Sequence, residues 1–402
     1  MSSETPFTIA VHDDKLASLK RKLALTEFPD ELEDAGWDYG VPLADIKRLV
    51  ERWQNGYDWR VHEQEINNTL PMFTRDIDVD GFGALNVHYV HKKSDVANAI
   101  PLLFVHGWPG SFLEVTKILP LLIASSPEHP SFNVVALSLP GFSFSEAPKK
   151  KGFGPIQIAE LANKLMLSLG YSEYVTQGGD WGHWITRLMA SAYGPANVKA
   201  WHTNFRYAWR PRLLTHPIAY LTHFFSPHTE EERVGLERHK WFEDLGRGYD
   251  IQQRTQPQTI GYSVADSPVG LLAWIYEKLV NWTDGYKWDD DEVLTWVSIY
   301  WLSRGGPGAS QRIYYENRTT WQKQISAYPT IPMGISYFPR EICVPPKSWS
   351  CTIGKVAFES THKHGGHFAA HEKPDDLVAD LRKMYGKGGP VFGVVPNKSG
   401  YA

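Results

Sequence analysis

Cysteine is nearly missing from this sequence: among 402 residues only Cys343 and Cys351 carry thiols. One pair, eight residues apart in a loop-like segment, cannot supply a disulfide framework. It predicts reduced thiols and a reducing, cytoplasmic compartment. An excess of positive charge is missing too. The 41 Lys and Arg are outnumbered by 45 Asp and Glu, for a net charge of −4. Nothing forms the basic stripe that a phosphate backbone demands, so no nucleic-acid partner is expected. The short run Lys149-Lys150-Lys151 follows a proline and reads as a solvated loop. No stretch of about 18 apolar residues exists, which excludes a membrane-spanning helix. The opening "MSSETPFTIAVHDDKL" has no basic start followed by an apolar block, so no signal peptide is expected. The glycosylation sequons at Asn67, Asn281, Asn317 and Asn397 are then chance matches.

Aromatic residues, by contrast, are abundant: 16 Trp, 19 Tyr and 18 Phe. Such surfaces serve either an apolar ligand pocket or a Trp-rich core. Along the chain, "DDKLASLKRKLAL" spaces Leu16, Leu19 and Leu23 on one helix face, with Asp13 or Asp14 placed to cap it. "PLADIKRLVERW" repeats the pattern. "FTRDIDVDGFGALNVHYVHKK" alternates apolar and polar residues around Asp80-Gly81 and predicts a hairpin. From "PLLFVHGWPG" onward, short apolar runs alternate with amphipathic ones. Strands are expected at 102–105, 132–137, 174–175 and 198–201, and helices at 112–124, 156–169 and 183–192. Buried strands separated by helices imply a parallel sheet covered on both faces. Residues from about 206 to 328 break this rhythm and read as helical. Strand signals return with "IPMGISYFP" and "KVAFES", before a last helix, "PDDLVADLRKMY".

The chemistry centres on "VTQGGDWGHW", Val175 to Trp184. A strand enters and a helix leaves, with Gly178, Gly179 and Gly182 around Asp180. This is the outline of a nucleophile elbow with an acid where Ser is usual. The plainer alternative is a glycine turn whose Asp caps the next helix. "HGWPG", His106 to Gly110, ends an earlier strand, where its backbone N–H groups can face a reacting centre. "THKHGGHFAAHEKP" brings four histidines. Their spacing matches no familiar zinc set, and Gly365-Gly366 breaks any helix that would align them. His367 stands out, between the last strand and the last helix; the others read as ordinary polar loop residues. Glu341, after "MGISYF", completes the order nucleophile, acid, histidine.

With these residues in hand, the chain resembles the epoxide hydrolases of the α/β-hydrolase fold. It is most similar to the microsomal-type branch with an N-terminal extension, in the soluble form seen in fungi. The resemblance spans "HGWPG", "GGDWG", the helical segment and "GGHFAAHEKP". It implies a mostly parallel sheet with helices on both faces. The N-terminal extension would span 1–95, the core 96–205 and 329–402, and an inserted α-helical lid 206–328. It implies conversion of epoxides to vicinal diols through an ester on Asp180, with His367 as general base and Glu341 as its orienting acid. Lid residues Tyr249 and Tyr314 would protonate the epoxide oxygen, with Tyr315 as the adjacent alternative to Tyr314. Trp108 and Trp181 would lend oxyanion-hole N–H groups. No cofactor and no metal are expected, and the membrane anchor of the microsomal relatives is not carried over to this sequence; the expected partners are a small apolar epoxide, water and, from the resemblance, a second copy in a homodimer. Two other readings stay open: a haloalkane dehalogenase, which shares an Asp nucleophile, and a non-catalytic ligand receptor on a hydrolase scaffold.

Overall fold

The alternating runs fold into one nine-stranded sheet in a computed structural model that describes residues 4–326 and 328–402. In chain order the strands are β1 (Thr5–Phe7), β2 (Met72–Val79), β3 (Gly83–Lys92), β4 (Ile100–Val105) and β5 (Phe132–Leu137). There follow β6 (Tyr174–Gly178), β7 (Val198–Thr203), β8 (Pro332–Tyr337) and β9 (Lys355–Thr361). Their spatial order is β1-β2-β3-β5-β4-β6-β7-β8-β9. From β5 to β9 neighbours run parallel, while β3, β2 and β1 continue the sheet antiparallel. Every residue of β4, β5 and β6 is buried, as expected for parallel strands covered on both faces. This is the α/β-hydrolase fold, and it sets the carboxyl ends of β4, β6, β8 and β9 along one rim, where such sheets bind ligands.

The parallel strands fall where the apolar runs predict; β5 keeps the expected bounds, while β4, β6 and β7 are each extended by two or three residues of backbone pairing. The helix expected at 112–124 does not form in one piece. A short 3-10 turn at Phe112–Val115 and a five-residue helix at Leu119–Ile123 replace it. Pro120 explains the break: it has no N–H for the Thr116 carbonyl, and its ring crowds that carbonyl. The first helix, Asp13–Ala24, is capped by the His12 ring rather than by Asp13 or Asp14, which occupy its first turn. The hairpin around Asp80-Gly81 forms and pairs its second strand with β5. Strand β1 and a helix at Trp59–Thr69, capped by Asp58, carry too little periodicity to be seen in the sequence.

Between β7 and β8 the chain is helical throughout its regular structure, from Pro217–Phe225 to Arg312–Ser326. The N-terminal helices grip this segment: Arg52 makes a two-pronged bond to Asp291 at 2.8 Å, Arg48 pairs with Asp290, and Lys22 lies 2.5 Å from Asp266. No helix of the described residues is long and apolar enough to cross a membrane. Cys343 and Cys351 are both free thiols.

Candidate active site

Asp180 stands between the end of β6 and the helix Trp181–Tyr193, with φ 50° and ψ −124°. A non-glycine residue held there stores about 1–3 kcal/mol of backbone strain, which the surroundings must impose. They do so by close approach. A Cβ at Gly182 would lie 1.9 Å from the Val105 carbonyl oxygen, so the helix can begin against the end of β4 only with glycine there. Asp180 makes no side-chain cap to this helix. Its Oδ1 instead accepts the Trp108 backbone N–H at 2.8 Å. The helix-capping alternative is therefore not what the residue does.

The "HGWPG" loop that supplies this N–H is clamped by its own histidine and by two aromatic residues that the sequence did not single out. His106 Nδ1 bonds the Gly107 carbonyl at 2.9 Å and Nε2 accepts the Leu139 N–H at 3.2 Å, which defines a neutral tautomer. Burial pushes its pKa down to about 4, against the raising effects of the Gly107 bond and Asp180. Trp296 Nε1 and the Tyr300 hydroxyl donate to the Pro109 and Gly110 carbonyls, each at 2.5 Å. Trp181, as the first residue of its helix, has a backbone N–H with no acceptor inside the helix.

His367 reaches the elbow from the loop after β9. A parallel bridge pairs Arg340 with Gly366, so the next residues of each strand, Glu341 and His367, stand side by side. A Cβ at Gly366 would sit 2.4 Å from the Trp282 carbonyl oxygen, so only glycine allows this approach. His367 donates its backbone N–H to that carbonyl at 2.8 Å. Its Nδ1 lies 2.5 Å from Glu341 Oε1, which also accepts the Ile342 N–H, and its Nε2 lies 3.4 Å from Asp180 Oδ2. Burial disfavours the charged ring, yet the Glu341 and Asp180 carboxylates outweigh it and raise its pKa to about 10. Glu372 steadies the loop, accepting N–H groups from Gly366 and Asp284 at 2.9 and 3.0 Å.

Tyr249 and Tyr314 come from two helices of the inserted segment, Gly248–Thr255 and Arg312–Ser326. Both are buried over the elbow. Tyr249 stacks on Trp108 with centroids 5.0 Å apart, and Tyr314 meets the Trp181 ring edge-on at 4.8 Å. Burial, then nearby anions including Asp180, hold both phenols well above their usual pKa, so both keep their protons. The Tyr314 hydroxyl has Tyr249 and Trp181 as polar neighbours, but neither meets hydrogen-bond geometry with it. Tyr315, the sequence alternative, points outward and is 37% exposed. Asp180, Trp181, Tyr249 and Tyr314 line one cavity of about 280 Å³, with Trp184, Phe205 and Trp321 among its apolar walls. Asn317 lines it too and is buried, which removes that sequon as a glycan site. At its charged edge, Arg247 pairs with Glu243 and Asp250, and Arg254 with Asp250.

All seven sequence-selected residues thus converge. The remaining histidines correct the expectation of ordinary loop residues. His362 bonds the buried Asp380 at 2.6 Å, and His371 is buried against Glu292 at 2.6 Å; only His364 is exposed. Among the described residues, no three His, Cys, Asp or Glu side chains form a metal-holding group.

Two sequence families match the chain: one described as epoxide hydrolase N terminus, over residues 4–115, and one as alpha/beta hydrolase fold, over residues 100–204. Epoxide hydrolase 1 of Sus scrofa is 36% identical over 415 residues, covering 95% of this chain and 88% of its own. Among solved structures, the Aspergillus niger epoxide hydrolase superposes with a TM-score of 0.83 at 34% identity, covering 94% of this chain and 95% of that one. The juvenile hormone epoxide hydrolase of the silkworm Bombyx mori gives 0.84 at 28% identity, covering 95% and 93%.

Proposed function

The chain belongs to the epoxide hydrolases, and from that premise we propose that it opens its substrate by direct attack of the Asp180 carboxylate. A carboxylate has a reference pKa near ~4 and is ionised at neutral pH, so it needs no base before it attacks. With Oδ1 occupied by the Trp108 N–H, Oδ2, 3.4 Å from His367 Nε2, is the oxygen that strikes an epoxide carbon. The C–O bond of the ring breaks, and the electron pair moves to the epoxide oxygen. Tyr249 and Tyr314, protonated and overhead, hold that oxygen and supply its proton. The Asp180 charge vanishes as the ester forms. The phenols then lose a neighbour that opposes their ionisation, so they become better acids at the moment an alkoxide needs a proton.

The same loss of charge prepares the second half. In the resting enzyme His367 sits between two carboxylates and is protonated. Esterification removes one of them, which lowers the imidazole pKa; the ring proton passes to the phenolate left by ring opening, and Nε2 is then free to accept a proton from water. Water attacks Cγ of Asp180, and the Trp108 and Trp181 N–H groups stabilise the oxyanion at Oδ1. Each such donor is worth about 3 kcal/mol. The ester C–O bond breaks, the diol leaves with that proton from His367, and the remaining water hydrogen passes from the Asp180 carboxyl to Nε2, which restores the carboxylate and the protonated ring. Glu341 holds the imidazole orientation and balances its charge throughout. A small apolar epoxide suits the aromatic walls of the cavity.

The observation that carries this reading is the fork at Asp180, one oxygen on a backbone N–H and the other toward His367, beneath two phenols. Two phenols rather than halide-binding N–H donors also separate it from a dehalogenase. A single turnover in heavy-oxygen water tests it: the label is expected in the Asp180 carboxyl, with an unlabelled diol. Label in the first-turnover diol instead defeats the covalent route.

A further inference from the structure

Glu114 has no task in the reaction outlined above, yet its carboxyl lies beside the reacting groups. Its N–H bonds the Ser111 carbonyl at 3.1 Å, a turn that folds the side chain back under the "HGWPG" loop. A Cβ at Gly110 would lie 1.7 Å from Glu114 Oε1, so the carboxyl fills the space a side chain at Gly110 would take. There the backbone N–H groups of Gly107 and Ser111 act on it, favouring its charged form. On the same loop, a Cβ at Gly107 would sit 2.3 Å from Asp180 Oδ1. A glycine peptide, with no side chain to fill the gap, therefore lies between Glu114 and Asp180. The ionisable groups acting on it are Asp180, His367 and the Tyr300 hydroxyl. Burial, eased by His367 and reinforced by Asp180, raises its pKa to about 8, so at neutral pH it adds no second negative charge beside the nucleophile. Glu114 is part-buried rather than sealed off from solvent.

We propose that Glu114 holds the attacking water for ester hydrolysis, beside Asp180 and within reach of the His367 imidazole. This rests on the covalent reading given above and extends it to the second step. Glu114 neither gains nor loses a proton: one hydrogen of the water goes to His367 Nε2, the other bonds the Glu114 carboxyl, and the oxygen attacks Cγ of Asp180. The group acts only when water is the nucleophile, so the two half-reactions should respond differently to its removal.

The test is rapid-quench mass spectrometry of the Asp180 ester with styrene oxide, on the full chain. In Glu114→Ala, alkylation is expected within about threefold of wild type while hydrolysis slows at least about tenfold, so the ester accumulates. Glu114→Met fills the same space without oxygens and should show the same split if the alanine variant does not fold. Glu114→Gln keeps a neutral hydrogen-bonding group and should restore hydrolysis to within about threefold of wild type. Equal slowing of both steps, unchanged hydrolysis in the alanine and methionine variants, or a glutamine variant as slow as they are would each overturn the proposal. His367→Gln separates the two levels. It should trap the ester; if it traps none, the covalent reading falls and this proposal with it. If it traps ester while Glu114→Ala clears ester normally, only the role of Glu114 falls.

Discussion

Two apolar helices of this molecule meet opposite fates. Trp181–Tyr193, leaving the elbow, buries every residue from Trp181 to Ala190. Pro217–Phe225, early in the inserted segment, buries none; Ile218 is 81% exposed and Phe225 82%. The second has the more apolar sequence, "PIAYLTHFF", so hydrophobicity did not decide. What differs is the company each keeps. The first helix is enclosed by β4, β6 and β7 of the sheet and by the preceding helix Pro155–Ser168. The second touches mainly the short turn Lys347–Thr352. Composition tells how much apolar surface a segment has, and topology tells where it goes. The cluster around Asp180 depends on the enclosed region, because strain at Asp180 persists only where neighbours over-determine it.

That contrast can be sharpened by substitution. The largest effect is expected where the inserted segment reaches inward: Tyr314→Phe should lower kcat/KM for epoxides by roughly 10²-fold, while Tyr315→Phe, one residue away and exposed, should leave it within about twofold. Steady-state assays on both variants check this, and equal losses would mean that burial over the elbow is not what matters. Next comes Gly182→Ala. Its Cβ would press on the Val105 carbonyl. A loss of about 1–3 kcal/mol in urea unfolding is expected, typical of overpacking against fixed backbone. A neutral result would show that the elbow yields more than its geometry suggests.

A smaller effect concerns pH. The folded-state pKa of His367 is raised to about 10, above its usual value near ~6.5. Its contribution to stability is thus complete below about 6.5 and is lost as pH climbs through about 10. Asp180→Ala removes one of the two raising carboxylates, so its melting temperature should fall less steeply than that of wild type across this window. Parallel slopes would contradict the charge coupling. The smallest effect is expected on the exposed helix, where Phe225→Ser should change unfolding free energy by less than about 0.5 kcal/mol.

Some of this was legible before any coordinates. The elbow could be read because a sharp strand-to-helix turn needs small residues at fixed places, and Gly178, Gly179 and Gly182 supply them. His367 followed from its glycine pair and its place after the last strand. Tyr249 and Tyr314 were different: two phenols among 19 tyrosines have no local signature, and only resemblance selected them. Glu114, Trp282 and Glu372 were missed. Trp282 and Glu372 act through contacts with chain far away in sequence, such as the Trp282 carbonyl on the His367 N–H, and Glu114 is placed by the fold of its own loop; no spacing rule encodes such contacts. The broken helix at 112–124 was a different kind of miss, since Pro120 was there to be weighed.

The residues alone determined the kind of chemistry available: an acid at an elbow, a histidine late in the chain, and glycines wherever two backbones must touch. Which carboxyl meets which partner is decided only in three dimensions. Glu114, Glu341 and Glu372 all lie near the His367 region, yet only Glu341 meets the Nδ1 of that ring, because the Arg340–Gly366 bridge aligns it. Glu372 is spent on loop N–H groups and Glu114 is held under another loop. A side chain's charge and reach depend on burial and on neighbours brought by remote strands, and those quantities exist only once the chain has folded.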